Sequence, residues 1–129
     1  MTKLFAAAAL LAAIASGPAL AQDAPDITGT WTGTGKGMTP DGVVSGKQTL
    51  VVSEQDDNAF RVEISYDVDG TTYTETAVGA IAPDGKSFFY GGDDGIVAGT
   101  IQSDTTLDIC YVEMGEDAQA NCARLTKQP

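Results

Sequence analysis

Carboxylates are the side chains of this 129-residue sequence best suited to acid–base chemistry, and they occur as adjacent pairs at Asp56-Asp57 and Asp93-Asp94. Both pairs lie in predicted turns, where solvated carboxylates rarely act as catalysts. The sequence contains no histidine, which excludes histidine-based triads and imidazole metal ligands. The serines of residues 22–129 lack the nucleophile-elbow pattern. We therefore predict that the protein is not an enzyme.

The two cysteines, Cys110 and Cys122, are the other candidates for chemistry. In an oxidising compartment an even pair predicts a disulfide with a single possible connectivity. Zinc would need more ligands than two thiolates supply in a chain without histidine. Redox-active pairs are normally separated by two residues only. We therefore predict a structural disulfide, no metal site and no cofactor.

The first 21 residues have the pattern of a signal peptide. Lys3 precedes an apolar run from Leu4 to Ala15, which is too short to span a bilayer, and Ala19-Leu20-Ala21 fits the small-x-small cleavage rule. This predicts export to the periplasm or the medium, with residues 22–129 as one domain. That domain keeps 18 acidic and 6 basic residues, a net charge of −12. Such acidity argues against nucleic-acid binding and against adhesion to anionic membranes.

The elements that must position these residues are β-strands. In residues 60–68 every even position is apolar and every odd position is polar, which is the period of a strand with one buried face. Turn-forming residues divide the remainder at short intervals. The predicted strands are Ile27 to Lys36, Lys47 to Gln55, Ala59 to Val68, Thr71 to Ile81, Lys86 to Tyr90, Gly95 to Ile101, Thr106 to Met114 and Asn121 to Thr126.

Short connections favour pairing between strands that are neighbours in sequence, which gives an antiparallel meander. Eight such strands can close on themselves and remove both exposed edges. We therefore predict an all-β fold, an eight-stranded antiparallel up-and-down barrel. A two-sheet sandwich is the alternative and needs a longer crossover, for which only residues 37–46 are long enough. If Gly115-Glu116-Asp117 forms the last loop, Cys110 lies directly opposite Cys122.

The segment Gly29-Thr30-Trp31 on the first strand, together with Arg124 on the last, resembles the calycin superfamily. That superfamily includes lipocalins, avidins and a group of bacterial metalloprotease inhibitors. The resemblance implies a barrel closed at one end by Trp31, with a basic residue packed over the indole. Strand alternation places Arg124 on the outer face with Cys122, so a bulge or a curled chain end would be needed for that contact.

The resemblance also bears on function. The segment from Ile27 to Trp31 looks most like an avidin first strand, but biotin binding there uses further tryptophans that this sequence lacks. The inhibitors act through an N-terminal segment, for which Gln22 to Pro25 is the counterpart here.

These observations predict an exported, non-catalytic barrel that binds a small, partly apolar molecule, with Phe60, Tyr66 and Tyr111 as ligand contacts. The alternative is a protein-interaction module or a periplasmic protease inhibitor. It would act through its loops, its N-terminal arm, or the cluster from Phe88 to Tyr90, of which alternation places Phe89 on the outside.

Overall fold

The computed structural model describes residues 23–68 and 70–129, so the predicted signal peptide 1–21 lies outside the described residues. Each strand pairs with the next in antiparallel fashion, and the last strand returns to pair with the first, which closes the barrel. The prediction of an eight-stranded up-and-down barrel is therefore confirmed. The strands are β1 (Gly29–Thr39), β2 (Gly42–Asp56), β3 (Ala59–Val68), β4 (Thr71–Ile81), β5 (Ser87–Gly91), β6 (Ile96–Ser103), β7 (Thr106–Glu113) and β8 (Gln119–Lys127).

The segment 37–46 differs from its prediction as a long connection. It forms the end of β1 and the beginning of β2, which pair from Gly37 and Val44 up to Thr39 and Gly42. Only Pro40 and Asp41 turn the chain, and a Pro-Asp-Gly run is a strong turn signal. Three glycines made the segment look like a loop, but a glycine tolerates a strand when its neighbour supplies the ladder of hydrogen bonds.

The packed half of the barrel surrounds Trp31, which is 1% exposed. Its indole nitrogen donates to the carbonyl oxygen of Ile27 over 2.9 Å, so the ring is buried without an unpaired donor. Inward alternation on the strands, together with Ile27 just before β1, supplies the apolar side chains around it. The most deeply buried of these are Ile27, Leu50, Val62, Ile81, Phe88, Leu107 and Leu125.

Two aromatic rings fill the centre of this half because glycines lie opposite them. Phe60 faces Gly79 across β3 and β4, and Phe88 faces Gly99 across β5 and β6. A Cβ atom on either glycine would collide with the facing ring. The two rings meet edge to face with centroids 6.2 Å apart, a favourable aromatic arrangement. This half of the barrel is therefore packed with side chains.

The basic residue over the Trp31 ring is Lys127, whose Nζ lies 5.2 Å from the ring centroid. Arg124 lies on the outer face instead, where its Nε and one terminal nitrogen each donate to Asp108 over 2.7 Å. The resemblance had implied Arg124 for this contact. Leu125 points inward at 0% exposure, so alternation turns Arg124 out and brings Lys127 back to the indole.

The predicted disulfide between Cys110 and Cys122 is confirmed. The two residues are direct partners across β7 and β8, with Cα atoms 4.1 Å apart. Both cysteines lie on the outer face of the barrel. The bridge therefore holds the last hairpin, whose second strand closes the barrel on β1. Within residues 23–68 and 70–129, no helix has the length and apolar character needed to cross a bilayer.

Candidate functional site

A cavity of about 530 Å³ opens at the end of the barrel opposite Trp31. Its size falls within the roughly 300–1,000 Å³ that is typical of small-molecule sites. Residues from all eight strands and from the turn between β5 and β6 line it. The inward residues that line it include Gly35, Val44, Gln48, Ile64, Tyr66, Glu75, Tyr90, Val97, Ile109, Tyr111, Glu113, Gln119 and Asn121.

Three tyrosines supply most of the aromatic surface of the cavity. Tyr66 lies on β3 and stacks on Tyr73 of β4, with centroids 5.5 Å apart and planes within 17°. Tyr90 on β5 and Tyr111 on β7 both face Val97 of the intervening strand. Gly95 leaves the space for Tyr111, since a Cβ there would lie 2.6 Å from the phenol oxygen.

The three phenols are hydrogen-bond donors at neutral pH. Burial is the main cause that raises the pKa of Tyr66, of Tyr90 and of Tyr111. The negative charge of Glu75 raises each of these pKa values further, and a hydrogen bond to Glu113 adds to the effect on Tyr111. A neutral phenol donates one hydrogen bond and presents an apolar ring.

A pair of amides crosses the cavity wall. Gln48 on β2 donates from Nε2 to Oδ1 of Asn121 on β8 over 2.9 Å, although β1 lies between the two strands. The bond passes over Gly35, where a Cβ would lie 3.4 Å from the Asn121 oxygen and would collide with the Gln48 amide. Glycine in the middle of β1 therefore makes room for a polar contact across three strands.

Glu75 places a carboxylate among the inward-facing residues. It is the β4 partner of Ile64, and its carboxylate lies close to Gly92, where a Cβ would be 3.1 Å from Oε2. Burial raises the pKa of Glu75, and the charges of Asp94, Asp93 and Glu113 raise it further. No hydrogen bond from a described residue offsets these causes.

Glu113 is the second carboxylate of the cavity and is differently placed. Its Oε2 accepts a hydrogen bond of 2.9 Å from the Tyr111 hydroxyl and one of 3.2 Å from Nε2 of Gln119. These two donors hold the carboxylate at the rim of the cavity. No group of three or more acidic or cysteine side chains within the described ranges is close enough together to hold a metal ion.

We expect Glu75→Gln to raise the stability of the protein at pH 7. The pKa of Glu75 in the native state lies above its ordinary value of 4.5, so the native state binds this proton more tightly than the unfolded chain does. The charged form therefore opposes folding, and the cost appears as the pH rises through the raised pKa. Thermal unfolding at pH 7 should show a higher midpoint for the variant, with the difference disappearing below about pH 4. Equal midpoints at pH 7 would contradict the placement of this carboxylate.

The predicted ligand contacts fall in two different places. Tyr66 and Tyr111 line the cavity. Phe60 is 5% exposed and lies outside the cavity lining, in the packed half against Phe88 and Tyr90. All three face inward, but β3 runs the length of the barrel, so its residues Phe60 and Tyr66 lie at different depths.

Glu75, Tyr90 and Asn121 also line the cavity, although the sequence pattern did not predict them as site residues. A signal for Glu75 existed, because it interrupts the inward series that contains Ala77 and Ile81 on β4. An acid on the apolar side of an amphipathic strand is unusual unless it has a partner or a role. Asn121 carried no such signal, since it stands at the start of a predicted strand.

The outer surface carries an apolar face made of Val78, Phe89, Ile96 and Val112. These side chains are 67%, 50%, 64% and 51% exposed, respectively. They lie on four adjacent strands, β4 to β7, with Ile96 directly opposite Val112. We call this group the outer apolar face. Phe88 and Tyr90 are buried on the other side of β5, as alternation predicts.

The N-terminal segment before β1 packs against the barrel. The Nε2 of Gln55 donates a hydrogen bond of 2.9 Å to the carbonyl oxygen of Pro25. Its Oε1 accepts a hydrogen bond of 2.9 Å from the backbone N–H of Ile27. Ile27 is 2% exposed, and Ala24 packs on the core. Residues 24–27 are therefore held at the closed end of the barrel.

Comparison with known proteins identifies the fold. Neither a protein-family model nor a curated protein matches the chain. Among solved structures, an S-type phycobiliprotein lyase from Guillardia theta matches with a TM-score of 0.57 and 8% identity, covering 80% of this chain and 89% of that one. A de novo designed fluorescence-activating β-barrel matches with a TM-score of 0.54 and 14% identity, covering 78% of this chain and 93% of the design.

At these identities the likeness shows the fold alone. Both structural neighbours are eight-stranded barrels, which agrees with the barrel predicted from the strand pattern and with the fold that the resemblance to calycins implied. The fold and the cavity together define the class of protein, a small eight-stranded antiparallel barrel with a cavity that opens at one end.

Proposed function

We propose that the protein is an exported, non-catalytic barrel that binds a small, partly apolar molecule in the cavity opposite Trp31. The observation that carries this proposal is the cavity itself, about 530 Å³ lined by three tyrosines, by aliphatic side chains such as Val44, Ile64 and Ile109, and by polar side chains that include four carboxylates. Apolar walls with a small number of placed polar groups are typical of small-molecule sites. A barrel packed with side chains along its whole length would offer no such site.

The packed half of the barrel supports this proposal by giving the cavity a rigid floor. Binding is tighter when the site exists before the ligand arrives, because fewer side chains lose freedom on binding. Here the cavity walls are strands of a closed sheet, and the Gln48 to Asn121 hydrogen bond joins the two that flank β1. One structural neighbour is a β-barrel designed to activate fluorescence, a use that is compatible with a small molecule held inside the barrel.

Export is part of the proposal and is supported by the disulfide. Structural disulfides persist in oxidising compartments and are rare in the cytosol. The Cys110 to Cys122 bridge lies on the outer face of the protein, where a reducing environment would reach it. The test is direct, since protein recovered from its own host should carry an N-terminus at Gln22 and a mass two hydrogens below that of the reduced chain.

A plug in the cavity tests the binding function. Val44 faces the mouth of the cavity from β2, so Val44→Trp should fill part of it and weaken binding of the neutral probe 1-naphthalenemethanol by about tenfold or more. The matched control is Thr76→Trp, at an exposed position on the outer face of β4, which should leave the affinity unchanged. Isothermal titration calorimetry measures the affinity of the probe for the wild type and for the two variants.

Two results would contradict the binding function. One is equal affinity of the probe for the wild type and for Val44→Trp, which would place the binding outside the cavity. The other is failure of the wild type to bind the probe, together with native mass spectra of host-purified protein that show no bound molecule.

The alternative function, a protein-interaction module, is favoured by the outer apolar face. Residues 22–129 carry a net charge of −12, which repels a second copy over most of the surface. The outer apolar face consists of four uncharged side chains, so charge repulsion is weaker there than over the rest of the surface. The disulfide between Cys110 and Cys122 borders this face. A second copy carries the same apolar face, so two copies related by a two-fold axis would cover it on each other at the one place where the repulsion is weakest.

Sedimentation velocity over a range of concentrations tests this alternative. Self-association through the outer apolar face predicts dimers that Phe89→Ser removes, whereas Met114→Ser, at an exposed position in the loop after β7, leaves them intact. A monomer at every concentration would exclude the second copy as the partner.

A further inference from the structure

We infer that the ligand of the cavity is an organic cation, a protonated amine attached to a flat or apolar body. This inference rests on the proposed binding function and specifies its ligand class. Four carboxylates contribute to the cavity and its mouth, from Asp67, Glu75, Asp94 and Glu113, against one amine from Lys47. Lys47, Asp67 and Asp94 are exposed at the mouth, whereas Glu75 and Glu113 face inward from β4 and β7, and no cationic side chain among the described residues lines the cavity from its inner face.

Glu75 is the group that the ligand charge would meet. Its carboxylate is partly buried and faces inward from β4, with no hydrogen bond or ion pair to a described residue. Three further acids, Asp93, Asp94 and Glu113, are close enough to act on it. An ionised carboxylate in such surroundings is costly unless an opposite charge approaches it. An ammonium group entering the cavity supplies that charge.

Tyr90 gives an independent indication of a ligand. It is only 4% exposed, yet its hydroxyl has no hydrogen-bond partner among the described residues. Every fully buried side-chain oxygen and nitrogen in the described part of the chain has a partner. The Tyr90 hydroxyl must therefore reach open space, and the cavity is the space that this side chain lines. It is an unused polar group directed into the site.

The arrangement of rings and acids favours an amine over a metal ion. No acidic group of three or more is compact enough for metal coordination within residues 23–68 and 70–129. The rings of Tyr66 and Tyr111, which line the cavity, instead supply apolar contact and a quadrupole that attracts an ammonium group. A cavity of about 530 Å³ also exceeds what a single hydrated ion would fill.

Three probes of one shape and different charge test the inference. They are 1-naphthylmethylamine, which is cationic at pH 7, the neutral 1-naphthalenemethanol and the anionic 1-naphthaleneacetate. The wild type should bind the amine about tenfold or more tightly than the alcohol, because hydrogen bonds to charged groups are the stronger ones. The anion should bind more weakly than the alcohol, since four carboxylates surround the opening.

The decisive variant is Glu75→Gln, which keeps the shape of the side chain and removes its charge. It should reduce the preference for the amine over the alcohol, which is the ratio of their two dissociation constants, by about tenfold. Glu63→Gln is the matched control, because Glu63 is exposed on the outer face of the neighbouring strand β3, and it should preserve the preference. The thermal midpoint of Glu75→Gln is measured alongside, and a midpoint at or above that of the wild type shows that any loss of preference does not arise from unfolding.

The outcomes separate the ligand class from the binding function. Equal binding of amine and alcohol, or tighter binding of the anion, overturns the cation inference while binding in the cavity stands. A preference for the amine that survives in Glu75→Gln overturns the role of Glu75. Absence of binding by all three probes overturns the inference together with the proposed function.

Discussion

Trp31→Ala should lower the free energy of unfolding by about 3–5 kcal/mol, the usual cost of truncating a large buried aromatic side chain. The indole is 1% exposed and closes one end of the barrel, so its removal leaves a void that eight surrounding strands cannot collapse to fill. The carbonyl of Ile27 also loses its 2.9 Å hydrogen bond from the indole nitrogen. Urea unfolding followed by far-UV circular dichroism measures the loss.

The control for this prediction is Lys127→Gln, which retains the indole and removes the cation over its face. Lys127 lies 5.2 Å from the ring centroid, and an exposed cation–π contact contributes about 0.5–1 kcal/mol. A domain of this size has a total stability of roughly 5–15 kcal/mol, so the alanine variant loses a large share and the glutamine variant a small one. A cost below about 1 kcal/mol for Trp31→Ala would contradict the role of the indole as the packed floor.

Gly33→Ala should be nearly as costly, about 3 kcal/mol or more, because it forces the first and last strands apart. A Cβ at this position would collide with the carbonyl oxygen of Arg124 and lie 2.8 Å from Cδ2 of Leu125. A side chain could move aside, but the Arg124 carbonyl belongs to the backbone of β8. The added methyl group therefore pushes the backbone of β8 away from β1 and disrupts the strand pairing that closes the barrel.

Gly91→Ala is the matched control on β5. The nearest atom to a Cβ at Gly91 is the Gly95 carbonyl oxygen at 3.7 Å, which is ordinary contact. The same chemical change should therefore shift the free energy of unfolding by less than about 1 kcal/mol, and reduced freedom of the unfolded chain offsets part of that cost. Similar stabilities for the Gly33 and Gly91 variants in urea would contradict the close approach of β1 and β8.

The placement of Glu75 links stability to the proposed function. A partly buried carboxylate without a partner makes the empty protein less stable, and a cationic ligand would recover that free energy on binding. Binding of a ligand to the native state alone raises the midpoint of unfolding. The same residue thus explains why Glu75→Gln should unfold at a higher temperature and discriminate less between an amine and an alcohol.

Most of the strand pattern could be predicted because its causes are local. Alternation from Phe60 to Val68 and the turn residues on either side determine β3, whose observed bounds equal the predicted ones. The same is true of β4 from Thr71 to Ile81. The loop length after β7 similarly placed Cys110 opposite Cys122, as observed. In each case the relevant interactions join residues that are close in sequence.

The composition of the cavity depended on the tertiary structure. Gln48 meets Asn121 across a separation of 73 residues, and Tyr90, Tyr111 and Glu75 reach one space from three different strands. Their depth is set by the stagger between strands when the sheet closes, which no short segment encodes. For the same reason, strand alternation was enough to predict that Arg124 faces outward. That Lys127 covers Trp31 depends on the pairing between β8 and β1 in the closed barrel.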